Sequence, residues 1–469
     1  MKLFTTVIVV ALAYSSLAAP ALDSSLVKTL QTQKTVDVLI SFKNANVRNV
    51  RTAAKVQAQS LGGSRAAVTQ SMYNALKAHA DSTQRSTLDL IRQHQSSTIK
   101  VFPFWITNQI GIKRMDNNLL TQLMTLEDIS EIREAEVGGL IEPVSSEELP
   151  QDYVNAGEQW GIVNIDAISV WEEGAKGENI TVGSLDTGVM ATHVALRDAY
   201  RNDHGWYDPA EGDLTPTDFN SHGTHTIGTM IGRANGIGVA PLAKFISCKG
   251  MNRQGSGSII DYVACGQFFV CPHLSTGPQD DPRCDLSPVA VGNSWGKIGN
   301  FGFFDDVIDT WIDAGIAPVF AAGNEGLACS SLRSPGNAPK SITIGATTSS
   351  DQITSFSSPG PNPDGLIKPT VSAPGEGTIS ASTSSDTAYS SKSGTSMATP
   401  HVVGLIALLH SKRPNLTVAE VEKLLTLGAQ PTVPLNRQCG GVPDSGYPNN
   451  HVGYGRISAR ASVDAINKL

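Results

Sequence analysis

The chain has 469 residues, with 35 Lys and Arg against 43 Asp and Glu, a formal net charge of −8. It is 40% hydrophobic and 17% charged, which supplies large apolar cores and excludes wholesale disorder. No basic excess points to nucleic acid, and beyond the N-terminus no apolar run reaches the ~18 residues that a membrane span needs.

Met1-Lys2-Leu3 gives a short positive start, Phe4 to Tyr14 is nearly all apolar, and Ser16-Leu17-Ala18 places small residues two apart. This is the pattern of a signal peptide, 1–18, and predicts a secreted, extracellular protein. Residues 19–145 hold no cysteine and carry 14 basic against 11 acidic side chains. Residues 146–469 carry 20 against 32, together with all six cysteines: Cys248, Cys265, Cys271, Cys284, Cys329 and Cys439. An even count in an exported chain reads as up to three disulfides, and the lack of any CxxC argues against zinc or redox use. Cys271 and Cys284 bracket a short Pro- and Asp-rich loop and are expected to pair. Asn179-Ile180-Thr181 and Asn415-Leu416-Thr417 are sequons that permit glycosylation in a eukaryotic host.

In chain order, Thr35–Phe42 alternates and predicts a strand. Residues 65–95, free of Pro and Gly, predict one or two helices. Ile99–Phe104 and Ile106–Lys113 follow as strands, Asn117–Leu126 as a helix and Ile129–Ile132 as a last strand. The order β-α-β-β-α-β is a ferredoxin-like α+β arrangement. Residues 143–150 (PVSSEELP) read as a polar, Pro-flanked linker of the kind that proteases cut. The remainder alternates strands (Ile180–Leu185, Lys244–Cys248, Val289–Asn293, Ala317–Ala321, Ser341–Ile344) with helices (Gly223–Ile231, Ser258–Phe269, Phe304–Ala314, Ser396–His410). This predicts a parallel sheet covered on both faces.

Three motifs in the second segment carry chemistry. In Val182-Gly183-Ser184-Leu185-Asp186-Thr187-Gly188, a carboxylate ends an apolar strand, where parallel α/β sheets bind ligands. In Asn220-Ser221-His222-Gly223-Thr224-His225, His222 opens a small-residue helix. His225 reads as a buried structural histidine, since the HxxH spacing lacks the Glu of a zinc protease. In Gly394-Thr395-Ser396-Met397-Ala398-Thr399-Pro400-His401, Ser396 sits at a helix N-terminus whose unpaired N–H groups favour developing negative charge. A serine hydroxyl needs a histidine to take its proton, and the histidine needs a carboxylate to hold its tautomer. The order Asp, His, Ser is one of the known chain orders for that triad.

On these motifs the chain from about Trp160 onward resembles the subtilase (subtilisin-like) serine proteases. Trp160-Gly161-Ile162, Val291 to Gly296 and the long first segment resemble the bacillopeptidase F-like branch, with its N-terminal inhibitor-type propeptide. The resemblance implies a three-layer α/β fold around a mainly parallel seven-stranded sheet, in residues 146–469. A ferredoxin-like propeptide, 19–145, would precede it, chaperone its folding and inhibit it within the same molecule. It implies hydrolysis of peptide bonds through an acyl-enzyme, with Asp186, His222 and Ser396 as triad and Asn324, rather than Asn293, in the oxyanion hole. Gly255-Ser256-Gly257 and Ser294-Trp295-Gly296 are similar to the edges that clasp extended substrate. Arg333 falls near the floor of the primary pocket. Pointing inward it would select Glu or Asp, making Glu147 and Glu148 self-cleavage points; pointing outward it would leave a pocket for large apolar residues. The implied partners are protein or peptide substrates, with no nucleic acid and no membrane, and a monomer is expected. No cofactor is required by the resemblance. The stretch 232–241 lacks the usual strong calcium loop, leaving at most a weak calcium site.

Gly292 to Gly296 also satisfies GxSxG, the esterase elbow, but that order (Ser, acid, His) would need Asp305 or Asp306 with His401 or His410 and strands Asp186 and His222. Asp186-Thr187-Gly188 with Asp444-Ser445-Gly446 imitates an aspartic protease, yet Asp444 follows no apolar strand. An inactive subtilase fold used for binding is the third alternative, which only a turnover assay separates.

Overall fold

The computed structural model describes residues 20–94, 98–155, 157–278, 280–299 and 302–469; the expected signal peptide lies outside the described residues. Contacts divide the chain into two units: Met1–Ala54 with Met72–Glu136, and Lys55–Ser71 with Val137–Leu469.

The first unit holds β1 (Ala21–Leu22), β2 (Thr35–Phe42), β3 (Lys100–Phe104), β4 (Gln109–Asp116) and β5 (Ile129–Glu134), in the order β1-β5-β2-β4-β3. All pairs are antiparallel except β1 with β5. Val38 and Ile40 of β2 and Ile129 and Ile132 of β5 meet a core of Leu26, Ile110, Ile112 and Leu119, while Leu39, on the other face of β2, is fully buried as well. The ferredoxin-like strand and helix order is present. The helical stretch is longer than expected, because Val47–Ser60 precedes Arg65–Thr83 and Arg85–His94. β4 starts at Gln109, later than predicted: Asn108 takes a left-handed φ of 48°, which ends the preceding turn.

The second unit is built on a seven-stranded parallel sheet. In chain order, β6 (Val137–Leu140) and β7 (Ser145–Glu148) come first. The sheet strands follow as β8 (Thr181–Asp186), β9 (Trp206–Tyr207), β10 (Lys244–Lys249), β12 (Ala290–Asn293), β14 (Ala317–Ala321), β15 (Ile342–Thr347) and β16 (Val371–Pro374). The intervening short strands are β11 (Ser256–Ser258) and β13 (Trp295–Gly296). The sheet order is β16-β15-β14-β12-β8-β10-β9. β12, β14 and β15 are buried at every residue, as strands covered on both faces must be. The helices His222–Ile231 and Thr395–Lys412 pack on one another, as do Ile259–Val270 and Asp305–Asp313, which makes the predicted three-layer α/β fold. The disulfides are Cys248–Cys265, Cys271–Cys284 and Cys329–Cys439, so the expected pair forms.

Residues 143–150 do not form a free linker. β7 pairs antiparallel with β18 (Tyr389–Ser393), which also pairs with β17 (Thr378–Ala381). The backbone makes this strand, since all four β7 side chains are exposed. Among the described residues no helix is long and apolar enough to cross a membrane.

Candidate active site

Asp186 ends β8 and is 1% exposed. Its Oδ1 accepts from His222 Nδ1 at 2.8 Å and from the Thr187 N–H at 2.7 Å, and Thr226 Oγ1 lies 3.3 Å from Oδ2. His222 opens its helix directly after Ser221, whose φ is 75°. That left-handed turn is held by Asp218, which accepts from the N–H groups of Asn220, Ser221 and Thr224 and from the Thr187 and Thr224 hydroxyls. Sequence reasoning missed Asp218; an acid four residues before the histidine was the available signal. Among the described residues His222 Nε2 is buried with no hydrogen-bond partner.

Ser396 lies in the first turn of the fully buried stretch Thr395–His410. Its Oγ donates to the carbonyl of Ile141 at 2.9 Å. Asn324 Oδ1 accepts from both the N–H and the hydroxyl of Thr395 at 2.9 Å, which turns Nδ2 the other way, to the carbonyl of Glu142 at 2.8 Å. Asn293 is spent internally: its amide donates to Val291 and Val319 carbonyls, and its oxygen accepts from Trp295 Nε1.

The chain's own residues 137–148 run along this site. β6 lies antiparallel between β11 and β13, with Gly139 opposite both Ser256 and Gly296. The Leu140 N–H donates to Gly255 and the Ile141 N–H to Ser294. Beyond the serine, the Val144 N–H donates to Ser393 and β7 follows. Both predicted edges thus act through backbone. Trp295 differs from the expectation: its ring is buried, stacked on Tyr262 at 3.9 Å, and only its main chain faces β6. Gly257 has no room for a side chain, since a Cβ would meet the Gly250 carbonyl at 2.2 Å.

Arg333 neither points free into the pocket nor turns to solvent. Its stem passes between Gly296 and Gly323, where added Cβ atoms would lie 3.1 and 3.0 Å from it. Its Nε donates to Glu325 at 2.6 Å and a second guanidinium nitrogen joins the same carboxylate, which also accepts from Ser358. The charge expected to select an acidic substrate is already met within the chain. A cavity of about 450 Å³ adjoins, lined by Glu325, Leu332, Asn337 and Ile298 among others. Glu147 and Glu148 lie in β7, opposite Ser391 and Ser390, so the carbonyl at Ser396 belongs to Ile141 and not to either glutamate.

Lys249 ends β10 opposite Asp186, fully buried, with Glu211 at 2.5 Å, Asp213 at 3.2 Å and Asp208 at 3.4 Å. Burial alone would lower its pKa, but these carboxylates outweigh it and raise it. Among the described residues no cluster of three or more His, Cys, Asp or Glu is arranged to hold a metal. His225 is structural, with Nε2 between the Thr378 and Ser390 carbonyls and burial holding its pKa well down. The esterase alternative fails because Ser294 Oγ donates to the Ser396 carbonyl rather than to a histidine, and His401 Nδ1 is bound to the Met397 carbonyl of its own helix. The aspartic alternative fails because Asp444 sits in a turn, accepting from the Leu435 N–H.

Such a fold, with an Asp–His pair at a parallel strand end and a serine at a helix start, defines the subtilase class. Residues 177–455 match the subtilase family, and the chain belongs to it. It is 31% identical over 480 residues to Bacillopeptidase F of Bacillus subtilis (strain 168), covering 95% of this chain and 32% of that protein. It is 32% identical over 272 residues to Subtilisin E of the same strain, covering 57% and 64%. With a Cuticle-degrading serine protease of Arthrobotrys oligospora (strain ATCC 24927 / CBS 115.81 / DSM 1491) it shares 35% over 237 residues, covering 50% and 53%. The chain thus spans between about a third and just under two thirds of the length of these relatives.

Proposed function

We propose that this chain is a secreted serine endopeptidase, made as an inactive precursor whose N-terminal segment occupies its own active site. The observation that carries this reading is the placement of an extended segment as an added strand between β11 and β13, with the Ile141 carbonyl at the Ser396 hydroxyl. Residues 19–141 act as propeptide, ending at the carbonyl that Ser396 holds rather than at 145, and a protein substrate takes the same path once the segment has left.

Ser396 Oγ attacks the substrate carbonyl carbon while His222 Nε2 takes its proton. Asp186 holds the other ring nitrogen and stabilises the imidazolium. The oxyanion receives the Asn324 amide and the Ser396 N–H. The C–N bond then breaks, the imidazolium proton going to the leaving amine, and water hydrolyses the acyl-enzyme by the same proton path in reverse. Removing one oxyanion donor typically costs ~10²–10³ in rate. In the uncut chain, Ser396 and Asn324 address successive carbonyls, Ile141 and Glu142, so the tail sits in a resting register. The pocket is read as apolar, because Ile141 is buried at the serine and Glu325 neutralises Arg333. Three disulfides suit an extracellular enzyme.

The test is a fluorophosphonate label with a peptide-library digest. The reading expects labelling at Ser396, cleavage after large apolar residues, and a loss of ~10⁴-fold or more in Ser396→Ala. A Ser396→Ala protein of undiminished activity would refute it.

A further inference from the structure

Lys55–Ser71 belongs by its contacts to the second unit, although the chain on either side belongs to the first. It contains the end of the Val47–Ser60 helix, a turn with Gly62 at φ 73°, and the start of the Arg65–Thr83 helix. The turn carries Leu61, 80% exposed. Among the described residues Arg65 meets no carboxylate. Its Nε donates to the Ala314 carbonyl at 2.8 Å, and its two terminal nitrogens to the Pro288 and Ser287 carbonyls at 2.5 and 3.3 Å. Lys55 Nζ lies 2.6 Å from Asp313.

The receiving surface is built for a guanidinium. Ala314 is the C-cap of the Asp305–Asp313 helix, where carbonyls lack helical partners and the dipole end is negative. Ser287 and Pro288 lead into β12, and neither carbonyl is engaged by a neighbouring strand. Gly315, at φ 71°, turns the chain toward β14 and leaves the room: a Cβ there would stand 2.8 Å from Arg65 Nε. Three fixed oxygens match the fork of an arginine and not the single point of a lysine. Burial holds this guanidinium's pKa down to about 10, consistent with an environment of carbonyls alone. This contact lies at the amino ends of β12 and β14, whereas Ser396 lies beyond the carboxyl ends of the parallel strands.

We propose that Ser287–Pro288 with Asp313–Gly315 forms a second receptor for the N-terminal segment, remote from the active-site cleft, and that Arg65 is its anchor. The proposal rests on the reading of that segment as a propeptide. It adds that the hold of the second unit on this segment depends on Arg65 as well as on residues 137–148.

The experiment uses the full chain as Ser396→Ala, with a recognition sequence for a specific added protease inserted after Glu148. After nicking, the two pieces are followed by size-exclusion chromatography and by the rate at which they part. Retention with Arg65 intact, and parting at least tenfold faster in Arg65→Ala and faster also in Lys55→Ala, supports the receptor. Arg65→Lys should not restore slow parting. Parting rates unchanged by both alanine variants would overturn it, and circular dichroism before nicking identifies any variant that has failed to fold. No step here depends on the chain's own activity. Slow, Arg65-dependent parting therefore supports the receptor even if the active protein proves to have no peptidase function, and the Ser396 labelling test judges that reading separately.

Discussion

The two sheets of this chain solve burial differently. The five-stranded sheet of the first unit is mainly antiparallel and packs a modest core, with no cysteine to reinforce it. The seven-stranded sheet is parallel and buried on both faces, and its unit carries three disulfides, one of them closing a span of 110 residues. Disulfides of this kind typically contribute ~2–4 kcal/mol each. Under the proposed function, the difference suits a propeptide that is discarded and an enzyme that works outside the cell. It also locates the stored cost: the second unit buries several histidines and the lysines Lys249, Lys368 and Lys392, and the core of the first is largely aliphatic.

Acidification should separate the two most strongly. Burial lowers His273, His401 and His410 to about 4 and holds His225 well below its ordinary value, all in the second unit. An unfolded histidine, near 6.5, takes up its proton first as pH falls. The stability these groups contribute is therefore full above pH ~6.5 and is lost progressively toward pH ~4, by up to about 1.4 kcal/mol per pH unit for each. Urea titrations at pH 7 and pH 5 should show a clear loss for the second unit's transition. A second-unit transition indifferent to that interval would break the comparison.

Lys249→Met should destabilise the second unit by ~3–5 kcal/mol, since it leaves three carboxylates facing one another without their cation. The first unit's transition should not move. Leu119→Ala, in the first unit's core, should cost that unit ~2–5 kcal/mol, read by hydrogen exchange on β2 and β4. Peptidase activity of the matured second unit should be unaffected, and a fall in its rate would show that the division of labour is incomplete.

What was legible in the sequence follows from the same contrast. The apolar parallel strands and the three polar motifs at their ends stand out, because burial on both faces leaves only β8's terminal Asp186 and the helix starts to carry chemistry. The Val47–Ser60 helix was missed because it buries only Val47, Arg51 and Ala54 and shows little apolar stripe. β7 has no side-chain signal at all: Ser145-Ser146-Glu147-Glu148 is a strand only because β18 offers its backbone. Arg333 was visible as an anomaly, but its partner Glu325 was not. The turn that brings them together depends on contacts with Lys297 and Ala322 that no local pattern announces.

The central claim is that Ser396 acts on the segment lying across it. The most direct measurement is intact mass with N-terminal sequencing of the purified full-length protein beside Ser396→Ala, in a host with no other maturing protease. The account predicts a new N-terminus at Glu142, the residue after the carbonyl held at the serine, and an uncut Ser396→Ala chain. Equal cleavage of both proteins, or an active protein whose residues 137–148 remain intact, would contradict it.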